Sequence, residues 1–149
     1  MATLTSAGLA FSRLVIEAFR INGLALAAGD RLTKPSHLTS ARWQVMGVAD
    51  HAPTPIAHIA REMGLKRQSV RETADALVRD GFASYLDNPH HRTAKLLTLT
   101  DSGRKALRAI EKRHALWANA LGGKHSLPAL RAAVAELQRA REHLEAEAQ

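Results

Sequence analysis

Residues 54–81 read TPIAHIAREMGLKRQSVRETADALVRDG, and this stretch decides the fold. Ile56, Ile59, Ala60 and Met63 recur at helical spacing and make one apolar face. Thr54 reads as an N-cap and Pro55 as the first helical residue, where a missing N–H costs nothing. Gly64 ends this helix in the left-handed conformation that glycine tolerates. After a turn of about two residues a second helix begins near Lys66 and runs to Asp80. Val70, Ala74, Leu77 and Val78 form its apolar side, and Gly81 is its stop. Two short helices joined by a tight glycine turn form a helix-turn-helix.

The flanks extend this unit on both sides. Downstream, residues 82–87 read as extended, Asn88-Pro89 as a turn, and residues 95–99 (KLLTL) as a second strand. A β-hairpin directly after a helix-turn-helix is a wing. Thr100 caps a further helix over residues 101–120, with Leu107, Ile110, His114, Trp117 and Leu121 at 3–4 spacing. Gly122-Gly123 breaks it, and Ser126 caps a last helix carrying Leu127, Leu130, Val134, Leu137 and Leu144. These narrow seams predict packing on each other, on the first helix or on a second copy of the chain. Upstream, residues 5–28 form a helix with Phe11, Leu14, Val15, Ala18 and Phe19 on one face. Gly29-Asp30 closes it, and residues 31–37, with Pro35, read as a loop. A short helix then starts at Thr39 or Ser40 and carries Trp43, Val45 and Met46 inward. The fold class is mainly α with a small β-hairpin, a winged helix-turn-helix flanked by long helices.

Composition agrees with this reading and narrows the function. The 149 residues suffice for one domain or one compact two-part unit. They include 28 alanines against 9 glycines and 5 prolines, a balance that favours helix. The absence of cysteine excludes disulfides, Cys-type zinc sites, iron–sulfur clusters and thiol redox switches. No apolar run is long enough to span a bilayer. Arg13, Glu17 and Arg20 interrupt the N-terminal apolar stretch, so no signal peptide is expected, and the expected compartment is the cytoplasm. The net charge is +7, and its placement points to a partner. Residues 61–113 hold 12 basic and 7 acidic side chains, whereas residues 127–149 hold 3 and 4. Positive charge concentrated around a helix-turn-helix predicts a nucleic-acid partner.

In a helix-turn-helix the second helix enters the major groove with its N-terminal residues at base edges. Here those residues are Lys66, Arg67, Gln68 and Ser69, with Arg71 one turn on. Arg and Lys match guanine acceptors, Gln matches adenine, and Ser reaches base or phosphate. A solvated amphipathic helix would show the same polar face, but it would not be followed by a wing. The wing contributes His90, His91, Arg92 and Lys95, and an arginine on a flexible tip suits the negative potential of a narrow minor groove.

Residues 38–46 (LTSARWQVM), 54–70, Gly81-Phe82 and 88–103 (NPHHRTAKLLTLTDSG) together resemble the MarR family of bacterial regulators. The most specific piece is the wing-to-helix junction ending Leu-Thr-x-x-Gly. The resemblance covers residues 38–103, and the flanking helices fit the family's dimerisation region by length and order. It implies a homodimer that binds a pseudo-palindromic operator in double-stranded DNA and represses its own or neighbouring genes. It further implies release by a small aromatic or lipophilic effector. It divides the chain into an N-terminal dimerisation helix and loop (1–37), a DNA-binding lobe (38–100) and C-terminal dimerisation helices (101–149). Two positions depart from the family pattern. Lys66 stands where many members cap the recognition helix with Thr or Ser. His90 stands two residues before Arg92, where many members have an acid that braces the arginine. The missing cysteine excludes the branch that senses peroxide through a thiol.

Other chemistries find little purchase. His90 and His91 are adjacent, and His37, His51 and His58 have no acidic partner at i+3 or i+4 placed as a metal site requires, so no metal is expected. No nucleophile elbow and no glycine-rich phosphate loop is present, so neither an enzyme nor a cofactor is expected. The implied effector pocket would be lined by Phe11, Phe19, Trp43 and Met46, although a place in the core explains each of them better. Two alternatives remain at the level of sequence: a winged-helix protein-interaction module, and a DNA-binding regulator without a ligand.

Overall fold

A computed structural model describes residues 3–148. The first helix, α1 (Ser6–Thr33), is capped by Thr5, whose hydroxyl accepts the Gly8 N–H at 3.0 Å. It runs past the predicted stop at Gly29-Asp30 and passes into a 3-10 turn over Lys34–Ser36. The reason is tertiary. Gly29 is buried against the next helix, and a Cβ there would lie 2.4 Å from the Ser40 hydroxyl. Asp30 accepts the Ser40 N–H at 2.8 Å. Both residues serve a helix contact rather than a chain reversal. The turn ends instead at His37, which adopts a left-handed φ of 56°.

Helix α2 (Ser40–His51) is capped by Thr39 and buries Val45, Met46 and Ala49. Residues Thr54–Pro55 form a short strand, β1, rather than a cap and a first helical residue. Pro55 is extended, and the Thr54 hydroxyl donates to the Ala52 carbonyl at 2.6 Å. Proline is tolerated in a strand at a sheet edge, where its missing N–H breaks no ladder. Helix α3 (Ile56–Met63) buries Ile56, Ile59 and Ala60 and ends at Gly64, with φ 62°. Helix α4 (Arg67–Arg79) buries Val70, Ala74 and Leu77, and Gly81, with φ 82°, follows it.

The hairpin consists of β2 (Ala83–Leu86) and β3 (Leu96–Leu99), paired antiparallel with Tyr85 opposite Leu97. β1 joins on the other side of β3, with Thr54 opposite Leu97, so the sheet order is β1-β3-β2. Leu97 and Leu99, two apart on the central strand, both point into the core. There they meet Met46, Ile59 and Leu77 among others. Each fully buried side chain of this size contributes about 1.5–3 kcal/mol.

Helix α5 (Asp101–Gly122) follows β3 directly and buries Gly103, Leu107 and Ile110. Thr100 caps it by accepting the Gly103 N–H at 3.1 Å, and its own hydroxyl donates to the Gly81 carbonyl at 2.7 Å. Helix α6 (Leu127–Glu147) is capped by Ser126. The chain forms two compact units, residues 1–111 and 112–149, with the boundary inside α5. In the second unit Leu127, Leu130, Val134, Leu137 and Leu144 are between 37 and 57% exposed. In the first unit the apolar side chains of α1 are similarly uncovered, Phe19 and Leu24 most of all.

Candidate nucleic-acid interface

Helix α4 turns its polar side outward. Lys66, Arg67, Gln68, Ser69 and Arg71 are all exposed, while Val70 and Ala74 anchor the opposite side. Lys66 occupies the N-cap position and provides no side-chain acceptor. The first-turn N–H groups therefore lack a side-chain cap and add the positive end of the helix dipole to the charge of Arg67.

Beside this helix the wing leaves an open cavity of about 500 Å³. Arg67 and Arg71 line it from α4, and Asn88, His91 and Thr93 line it from the hairpin loop. Thus the tertiary structure brings two of the predicted recognition residues together with one predicted wing residue. Lys66, Gln68, Ser69, His90, Arg92 and Lys95 lie outside the cavity lining and are exposed. Gln68 donates to Glu72 at 3.2 Å along the helix.

The cations of this face carry no acidic partner: among the described residues none of Lys66, Arg67, Arg71, Arg92 and Lys95 takes part in an ion pair. Arg42 on α2 and Arg108 on α5 instead each pair with an acid, Asp80 at 2.8 Å and Asp50 at 2.7 Å. Unpaired cations are free to meet phosphate without first giving up a partner.

The hairpin loop is ordered by its own side chains. Asn88 Oδ1 accepts the His90 N–H at 3.0 Å. His91 Nδ1 accepts the Ala94 N–H at 3.2 Å and lies 3.2 Å from the Thr93 hydroxyl. Asn88 and His91 thus brace the loop where the acid–arginine pair was expected to be missing. Asn88 already stood out as a turn residue, but the part played by His91 had no signal in the sequence. At the base of the wing the Tyr85 hydroxyl donates to Asp75 Oδ1 on α4 at 2.6 Å. Neither residue was singled out from the sequence, because the contact joins a helix to a strand ten positions away.

A second open cavity, of about 660 Å³, lies between α2 and α3. Trp43, Gly47, Val48, His51, His58 and Met63 are among its lining residues. Of the four residues suggested for an effector pocket, Trp43 lines this cavity. Met46 is fully buried in the core, and Phe11 and Phe19 are exposed on α1. One sequence reading is corrected here: His58 does have an acid at i+4, and its Nε2 lies 3.7 Å from Glu62 Oε1. The described residues contain no group of three His, Asp or Glu side chains able to hold a metal ion. Among them, no helix is long and apolar enough to cross a membrane.

No family model matches the chain. An uncharacterised protein of Mycobacterium tuberculosis is 36% identical over 128 residues, which cover 86% of this chain and 90% of that protein. Among solved structures, the chain is similar to Sco5413, a MarR family transcriptional regulator from Streptomyces coelicolor. The identity is 25% and the TM-score 0.74, over 90% of this chain and 94% of that one. The fold is also that of the transcriptional regulator MOSR of M. tuberculosis, solved in complex with DNA. In that case the identity is 22% and the TM-score 0.71, over 87% and 96% of the two chains.

Proposed function

Because the chain belongs to the MarR family of transcriptional regulators, we propose that it acts as a homodimer on a pseudo-palindromic operator and represses its own or neighbouring genes. The observation that carries this is the convergence of Arg67, Arg71 and the hairpin loop on one side of the lobe, all without acidic partners. Residues 38–100 supply the DNA-binding lobe in this reading. Helix α4 enters the major groove through Lys66, Arg67, Gln68, Ser69 and Arg71. The wing reaches the flanking minor groove through His90, His91, Arg92 and Lys95. Residues 1–37 and 101–149 supply dimerisation. The support for it is the uncovered apolar spacing of Leu127, Leu130, Val134 and Leu137, which repeats as a two-residue seam every seven positions. Two lobes held one helical turn of DNA apart would cover a promoter and exclude polymerase.

Fluorescence anisotropy on the DNA immediately upstream of its own gene, against a scrambled duplex and at several salt concentrations, tests the reading. Tight, sequence-dependent binding with a steep salt slope is expected, because phosphate contacts release counterions. Equal weak binding to both duplexes would refute a specific regulator and favour a protein-interaction role.

Release by a small aromatic or lipophilic molecule is assigned to the cavity between α2 and α3. Gly47 supports this. It lies mid-helix, where glycine costs about 1 kcal/mol relative to alanine, yet a Cβ there would meet nothing within 4 Å. The packing of the fold does not require the glycine, and its place in the cavity wall leaves room there for a larger side chain. Gly47→Leu should fill the cavity, keep DNA affinity within about twofold and abolish release by aromatic acids such as benzoate that dissociate the wild-type complex. A variant still released at the same concentration would place the effector elsewhere.

A further inference from the structure

The wing is joined to the recognition helix at one polar point. Among the described residues, the Tyr85–Asp75 hydrogen bond is the sole side-chain hydrogen bond or ion pair between α4 and residues 83–99. Asp75 lies one turn beyond Arg71 on the same helix, and Tyr85 lies where β2 leaves the core. Beyond Tyr85 the wing no longer packs on α4, because the cavity lined by Arg67 and Arg71 opens between them. The hydroxyl is a firm donor: burial, and then the bond to Asp75, push its pKa up to about 12, with the Arg71 charge opposing them. The tyrosine therefore stands at the root of the wing, tied to α4 one helical turn from Arg71, which lines the cavity.

We propose that Tyr85 is a positioning residue, holding the wing through Asp75 at the spacing that lets α4 and Arg92 engage one duplex together. The proposal rests on the DNA-binding reading above. From Tyr85 to the loop at His90 the arm is five residues, at most about 17 Å if fully extended, and β2 itself ends at Leu86. A tilt of about 10° at its root moves the tip by up to about 3 Å, half the width of a minor groove of about 6 Å. Arg92 would then miss the groove while α4 stayed seated.

Tyr85→Phe keeps the ring and removes the donor. In the whole chain, amide hydrogen exchange of residues 86–96 should accelerate by about fivefold or more, with the melting temperature nearly unchanged. Binding to the upstream duplex should weaken about five- to tenfold. The decisive readout is a double-mutant cycle: in an Arg92→Ala background the same substitution should cost less than twofold, because there is no wing arginine left to misplace. A merely structural loss would be equal in both backgrounds, and that result overturns the proposal. Unchanged exchange in Tyr85→Phe also overturns it, since the bond then does not hold the wing. If the unmodified chain binds no duplex, the DNA-binding reading fails and takes the assigned purpose with it, while the exchange rates still report whether the tie exists.

Discussion

Replacing Arg67 and Arg71 together by alanine is expected to weaken binding to duplex DNA by about a thousandfold while leaving the fold intact. Both side chains are exposed, neither is in an ion pair, and both face the cavity beside the wing. Their removal therefore takes no partner away from the folded chain. On DNA each arginine contributes about 1–3 kcal/mol when it reads guanine, so the pair reaches about 4 kcal/mol. Salt dependence tells the roles apart. An arginine on phosphate lowers the slope of log affinity against log salt by about one when removed, and does so for every sequence. An arginine on a base leaves the slope nearly alone and relaxes discrimination at one position. If the double variant binds as tightly as the parent, α4 is not the recognition helix.

Gly103→Ala should be the most damaging single-methyl change in the lobe, destabilising it by about 3 kcal/mol. Gly103 lies in the first turn of α5 with ordinary helical backbone, so conformational freedom is not its role. A Cβ there would lie 1.9 Å from the Phe82 carbonyl oxygen and 2.9 Å from its carbon. Backbone cannot swing aside as a side chain does, and this carbonyl already accepts the Thr100 N–H at 3.1 Å. The methyl group must push α5 off the strand junction or break that bond, and overpacking of this kind costs about 1–3 kcal/mol or more. Calorimetry or a thermal melt should show a loss of roughly 6–12 °C. Gly47→Ala has the opposite expectation. It is also a helical glycine, but it borders open space, so it should raise stability by up to about 1 kcal/mol. Equal melting temperatures for the two variants would contradict the close approach at Phe82.

The contrast between these glycines marks the limit of reading this chain without its structure. The spacing of Ile56, Ile59 and Ala60, the positions of Gly64 and Gly81, and the caps at Thr39, Thr100 and Ser126 are local signals. Each acts within one helical turn, so each was legible. The basic character of the polar side of α4 was legible for the same reason. Gly29 looked like a stop of the same kind as Gly64, yet its backbone is helical, and its missing side chain makes room for Ser40, eleven residues later. A glycine that permits positive φ and one that permits close approach are the same letter.

Tertiary pairing decided the remainder. Thr54–Pro55 becomes a strand through β3, more than forty residues away, and two residues carry no alternation to announce it. The meeting of Arg67 and Arg71 with His91, the Tyr85–Asp75 bond and the division of Trp43 from the buried Met46 all depend on how α2, α4 and the wing are placed in space. Local sequence thus determined which elements form and which side of each is charged. Only burial and hydrogen bonding between distant segments determined which side chains meet, because those energies depend on distances that sequence separation does not set.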